Sequence, residues 1–219
     1  MAHIKRTKMP KTWPFPRKKK SQRFVAVPSH LPSEGVSVLF ILRDILKIAK
    51  TRKEARYMTL NGLVKVNHKI RKDENFPVGV FDVLTLEKEK KNYKLEIVNK
   101  KFKLKEVEGS DADRKIVKII GKKILSSSKV QMNLGDGSNF ITKHKFSVGD
   151  SVVINTKENK IEKILELGKG AKVEVILGKH AGERGEFLRF EELERGRDFV
   201  VKLKKGESVL PYKSILVVE

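Results

Sequence analysis

Thr51-Arg-Lys-Glu-Ala-Arg-Tyr-Met-Thr-Leu-Asn-Gly-Leu-Val-Lys-Val-Asn-His-Lys69 changes period halfway along its length. Thr51 followed three residues later by Glu54 is a capping box, in which the two side chains satisfy backbone N–H groups at the start of a helix. Asn61-Gly62 ends that helix, because glycine takes the left-handed C′ conformation without steric cost. From Leu63 the order Leu-Val-Lys-Val has the alternation of a strand, closed by a turn at Asn67-His68-Lys69. Upstream, Ser37 precedes apolar residues at 38, 41, 42, 45, 48 and 49. That spacing predicts a first amphipathic helix with Arg43, Lys47 and Lys50 on its solvent face. Downstream, Pro77-Val-Gly79 and Phe81-Asp-Val-Leu-Thr-Leu86 read as further strands. Residues 37–87 are therefore expected to form a small α+β module whose core holds Val38, Leu42, Ile45, Ala55, Met58 and Val66.

What precedes this module is strongly basic. Residues 1–33 contain nine Lys/Arg and no carboxylate, the first acid being Glu34. Prolines at 10, 14, 16, 28 and 32 oppose regular structure, so the segment is expected to stay extended until a polyanion condenses it. Trp13 and Phe15, each flanked by proline, could stack on unpaired bases or pack on the protein itself. The reading favours a nucleic-acid contact for Trp13, because a tail aromatic has no core nearby. The whole chain of 219 residues has 49 Lys/Arg against 27 Asp/Glu, a formal charge of +22. By segment this is +8 for residues 1–35, +5 for 36–86, +8 for 87–165 and +1 for 166–219. A one-signed field of this size favours phosphate backbones through release of condensed counterions. There is no cysteine, which excludes disulfides and thiolate metal sites. No apolar run has the length of a signal peptide or a membrane span, and the expectation is a soluble intracellular protein.

Beyond the first module the pattern is almost entirely alternation. Lys94–Val98, Phe102–Val107, Lys115–Ile120, Val130–Leu134, Ser151–Ile154 and Ile161–Leu165 read as strands, with a hairpin signal at Gly135-Asp136-Gly137. They predict a small half-open β-barrel over residues 88–166, with many outward lysines. The last segment, 167–219, carries Lys172-Val-Glu-Val-Ile-Leu-Gly178, then Gly182 and Gly185. Glycines at this spacing let a loop turn tightly and present Lys179, His180 and Arg184 outward.

Several resemblances follow from these residues. The two helices followed by Leu63-Val-Lys-Val-Asn-His-Lys and Gly79-Val-Phe-Asp-Val-Leu resemble the S4-type RNA-binding domain. That likeness implies an RNA surface at Arg52, Lys53, Arg56, Lys65, Asn67, His68 and Lys69, with Arg43 and Lys47 beside it. The loop Gly178, Lys179, His180, Gly182, Arg184 and Gly185 is similar to the KOW motif of SH3-like barrels. A tail reading His3-Ile-Lys-Arg6 and Pro10-Lys-Thr-Trp13, then an S4-like domain (37–87), a central β domain (88–166) and a KOW barrel (167–219), resembles the archaeal and eukaryotic small-subunit ribosomal protein S4e family. The stop at Glu219 favours the archaeal branch.

The family likeness implies a multi-domain α+β and all-β protein that binds small-subunit rRNA, in its 5′ region, beside neighbouring ribosomal proteins. It implies no catalysis, cofactor, metal, membrane or small-molecule substrate, and a place in the cytoplasmic small ribosomal subunit. The tail (1–36) is expected to bind through His3, Lys5, Arg6, Lys8, Lys11, Trp13, Arg17, Lys18, Lys19, Lys20 and Arg23. An RNA-modifying enzyme is the first rival, but the five histidines lack ligand spacing and no phosphate-loop motif exists. A transcription-elongation or ribosome-assembly factor is the second, supported by the KOW-like loop alone.

Overall fold

In the computed structural model of the chain, residues 3–18, 23–30, 32–125, 129–193, 196–204 and 206–219 are described. The chain divides into two compact units, Met1–Asp113 and Arg114–Glu219.

The basic N-terminal segment of the first unit is folded, contrary to the expectation of an extended tail. Strand β1 (His3–Lys5) pairs antiparallel with β2 (Phe24–Ala26), Ile4 opposite Val25 and Lys5 opposite Phe24. Between them, Met9 and Trp13 are buried at 0% and 1% exposure. The indole packs against Phe40 at 5.2 Å between ring centroids, and its Nε1 donates to the Pro32 carbonyl at 2.9 Å. The segment carries its own apolar payload, and its prolines lower the entropy lost on ordering, so protein contacts rather than a polyanion fix it.

Strand β3 (Gly35–Ser37) pairs with β6 (Pro77–Gly79), and Ser37 caps helix α1 (Val38–Phe40) by accepting from the Phe40 N–H at 3.3 Å. The expected long amphipathic helix does not continue. Ile41–Ile45 is a π-helical turn, and Lys47 then takes φ 58°. Val38 to Leu42 are five successive buried residues, so core surrounds this turn on all sides and packing overrides a one-face period. Helix α2 (Arg52–Leu60) follows the expected cap: the Glu54 N–H donates to Thr51 Oγ1 at 3.3 Å, while Glu54 Oε2 reaches back to the Lys50 N–H at 2.7 Å. Gly62 takes φ 71° after it.

Strands β4 (Val64–Val66), β5 (Lys69–Ile70), β7 (Val83–Leu86), β8 (Lys91–Val98) and β9 (Lys101–Val107) form one antiparallel sheet in the order β5-β4-β7-β8-β9. The β8–β9 hairpin, assigned from sequence to a central domain beginning at 88, thus completes the sheet of the first unit. Leu95, Ile97 and Phe102 are buried on it, and an apolar face that large must be covered by the module it pairs with. Ala55, Val66, Val38 and Leu42 lie in the core as expected, whereas Ile45 and Met58 are half-buried.

The second unit contains two five-stranded antiparallel sheets. In the first, β10 (Arg114–Ile124), β11 (Val130–Leu134), β12 (Asn139–Thr142), β13 (Ser151–Asn155) and β14 (Lys160–Leu165) take the order β12-β11-β10-β13-β14. A register shift between Ile119 and Gly121 lets long β10 serve β13 with its first half and β11 with its second. In the other sheet, β15 (Lys172–Val175), β16 (Arg184–Leu193), β17 (Gly196–Leu203), β18 (Gly206–Pro211) and β19 (Ile215–Val217) take the order β18-β17-β16-β15-β19.

Strand β13 explains why Ser151-Val-Val-Ile154 lacks alternation. Val152 and Ile154 fill a core with Val117, Ile119, Met132, Leu134 and Phe146, while Val153 points to a second core built on Phe187, Phe199 and Val201. A strand between two cores is apolar on both faces.

Candidate nucleic-acid interface

Helix α2 separates its cations by what they touch. Arg52 is held by the buried carboxylate of Glu74, its Nε donating at 2.9 Å, and this bond raises the guanidinium pKa further above its ordinary value. Lys53 and Arg56 are exposed and make no ion pair with any described residue. Glu54, the one acid of this turn, is turned onto the backbone, and the Lys50 N–H holds its pKa below the usual carboxylate range. The N-terminal turn of the helix therefore presents cations beside its own positive dipole end, a setting suited to phosphate oxygens.

In the turn after β4, Asn67 and His68 take φ 51° and 61°. Asn67 Nδ2 donates to Asp82 Oδ1 at 2.7 Å and its Oδ1 accepts from the Val83 N–H at 3.0 Å. Asn67 is thus a brace of the turn rather than a free contact. His68 Nε2 lies 2.7 Å from Asp113 Oδ1, and Lys65 is paired with Glu87. Lys69 remains exposed at the tip. Arg43 is engaged with Asp44 at 2.7 Å, and Lys47 projects from the left-handed turn.

The N-terminal segment also spends part of its charge internally. Arg6 is buried at 3% exposure, its Nη1 donates to the Pro16 carbonyl at 2.8 Å, and its Cζ sits 4.2 Å above the Phe15 ring. Arg17 Nη2 donates to the carbonyls of Thr7 and Met9 at 2.9 and 2.7 Å. These two arginines staple the segment to itself. Trp13, expected at an RNA contact, is instead enclosed by protein, because Phe40 and Pro32 supply the core that the sequence did not reveal. His3, Lys5, Lys8, Lys11, Lys18 and Arg23 are exposed, whereas Lys19 and Lys20 lie outside the described residues.

In the C-terminal loop, Gly178 and Gly182 take φ 94° and 83°. Gly185 serves close approach, since a Cβ there would collide with the Lys202 carbonyl. His180 Nδ1 is 3.1 Å from Glu183 Oε2, and Arg184 Nε donates at 2.8 Å to buried Glu174. Lys179 is exposed. Most of this loop's polar groups thus maintain the turn.

Two groups were not named among the expected contacts, the first of them belonging to the outward lysines that the strand pattern left as RNA contacts or plain surface. Lys101, Lys103 and Lys105 are exposed on one face of edge strand β9, and the alternation Lys-Phe-Lys-Leu-Lys was their signal. Phe24 is 52% exposed, for which the sequence offered no sign beyond its basic neighbour Arg23. Among the described residues, no group of three or more His, Asp or Glu could hold a metal ion, and no helix is long and apolar enough to cross a membrane.

Comparison with known proteins agrees with this arrangement. The model of the ribosomal family S4e matches residues 95–161, and that of the S4 domain matches residues 41–84. The small ribosomal subunit protein eS4 of Methanocella arvoryzae is 37% identical over 187 residues, 84% of this chain and 78% of that protein. Its counterpart in Methanosphaera stadtmanae is 31% identical over 221 residues, 99% of this chain and 91% of that protein. The crystal structure of the 30S ribosomal protein S4e from Thermoplasma acidophilum superposes with a TM-score of 0.71 at 27% identity, covering 84% of this chain and 95% of that one.

Proposed function

Because the chain belongs to the S4e family of ribosomal proteins, we propose that it is a structural constituent of the cytoplasmic small ribosomal subunit, binding the 5′ region of its rRNA and neighbouring ribosomal proteins. The observation that carries this reading beyond family membership is the state of the cations on α2: Lys53 and Arg56 stand exposed with no ion pair among the described residues, while Glu74 is taken up by Arg52 and Glu54 by the Lys50 N–H. Phosphate contact needs such groups, because a cation already paired with a carboxylate releases few counterions from RNA. Lys69, Lys47 and the exposed cations of the N-terminal segment are further phosphate contacts in this reading. The C-terminal sheet with its Gly178–Gly185 loop is a KOW-type SH3-like barrel in this reading, and its near-neutral charge suits a protein neighbour. The role is architectural, with no reaction catalysed.

Binding of the full chain to a 5′ fragment of small-subunit rRNA, measured by filter retention across a salt series, tests the proposal. Lys53→Ala combined with Arg56→Ala is expected to lower the slope of log K against log salt by about two, on the rule of roughly one counterion per phosphate contact. Lys179→Ala is expected to leave the slope unchanged. A double variant with the slope of the unaltered protein would remove α2 from the interface.

A further inference from the structure

The β1–β2 ribbon has two unlike faces. Ile4 and Val25 turn inward, Val25 to 4% exposure, while His3, Lys5 and Phe24 point to solvent. Phe24 keeps 52% of its surface exposed although the segment that bears it encloses Met9 and Trp13 almost completely. A large aromatic left out by a segment that buries Met9, Trp13, Val25 and Val27 has a ring to offer a partner.

The surroundings of that ring specify the partner's chemistry. His3 packs against it in a T-shaped arrangement, at 4.9 Å between centroids and 76° between planes, which braces the ring while half of its surface stays exposed. Lys5 lies directly across the ladder from Phe24, and Arg23 precedes it, its own carbonyl accepting the Arg6 N–H at 3.0 Å. Residues 1–33 hold no carboxylate, so nothing in this segment repels an anion from that place. A π-face flanked by cations suits a nucleotide, whose base can stack while its phosphate meets the ammonium groups. An unpaired base suits it best, because in a duplex both base faces are already stacked and the backbone alone is exposed.

We propose that Phe24, braced by His3 and flanked by Lys5, is a stacking platform for an unpaired base of single-stranded RNA, separate from the phosphate-binding surface on α2. The proposal deepens the rRNA-binding reading and rests on it. It assigns Phe24 a contact with a base, where the cations of α2 contact only the backbone.

The full chain is titrated with two probes, a single-stranded oligoadenylate carrying one 2-aminopurine and an abasic oligomer of equal length and charge. Phe24→Ala is expected to weaken oligoadenylate binding about tenfold and to abolish the 2-aminopurine fluorescence change, with abasic binding unaltered. Phe24→Leu, which keeps apolar bulk without the ring, is expected to behave like alanine, and Phe24→Trp to retain binding. Equal loss on both oligomers, or no loss on either, overturns stacking while leaving RNA binding through α2 intact, as does a binding gain shown only toward a protein neighbour. An unaltered protein that binds neither oligomer nor rRNA overturns both readings.

Discussion

Trp13 holds the N-terminal segment to the first unit through one ring contact and one hydrogen bond, so its truncation separates the two views of that segment. Trp13→Ala is expected to destabilise the first unit by about 3–5 kcal/mol in urea unfolding, the cost of removing a fully buried large aromatic. An extended RNA-binding tail would show no change in the absence of RNA. The sequence displayed the aromatic and the prolines but not Phe40 as their destination, since a contact across 27 positions leaves no periodic trace. Lys118 is a second residue whose setting only the fold shows. It is 7% exposed, its Nζ donates to the carbonyls of Tyr212 and of Ile215, the latter at 3.1 Å, and it lies 3.7 Å from the Tyr212 ring centroid. Burial pushes its pKa down to about 8 from 10.5. Between those values the unfolded chain binds more protons than the folded one, so this lysine makes stability rise with pH by at most about 3 kcal/mol. Tyr212, whose hydroxyl burial holds above 10, reverses the trend at higher pH, which leaves pH 8 to 10 as the window. Lys118→Met is expected to flatten the rise in that window, read as denaturation midpoints at pH 8 and pH 10. An unchanged rise would show that the ammonium is solvated in the folded protein.

Among the elements, α2 was the most legible because its signals are local: cap, helix and terminating glycine lie within twelve residues. Thr51→Ala is expected to cost about 1 kcal/mol of stability, the value of an N-cap hydroxyl, with little effect on RNA binding at saturating protein. The preceding helix was misread for a physical reason. A run of buried residues satisfies a helical period trivially, so Val38–Leu42 could not reveal that α1 yields to a π turn. The β8–β9 hairpin shows the complementary limit, since its alternation identified strands but not which sheet they extend. In the C-terminal loop the glycines are expected to differ in kind. Gly185→Ala forces a Cβ against the Lys202 carbonyl and is expected to lower the thermal midpoint of the second unit by several degrees. Gly178→Ala, with nothing within 4 Å of its added Cβ, meets only the strain of φ 94° and is expected to lower it less. Equal effects would contradict close approach as the role of Gly185.

For the whole molecule, charge and fold divide along the same line. Met1–Asp113 has 27 Lys/Arg against 13 Asp/Glu, and Arg114–Glu219 has 22 against 14. The more basic unit contains the N-terminal ribbon, α2 and the lysine row of β9, while the other encloses two β cores. This asymmetry was visible in the sequence, and with the order of motifs it was enough to indicate the family. Which cations are free was not visible, because Lys65, Arg6, Arg17 and Arg184 look like their neighbours until their partners are known. Incorporation of the protein into the small ribosomal subunit is measured by sucrose-gradient fractionation of native lysate in high salt, with the protein quantified across fractions by mass spectrometry. Stoichiometric retention in the small-subunit peak is expected. Release to the top fractions would contradict it and leave a transient RNA-binding factor in its place.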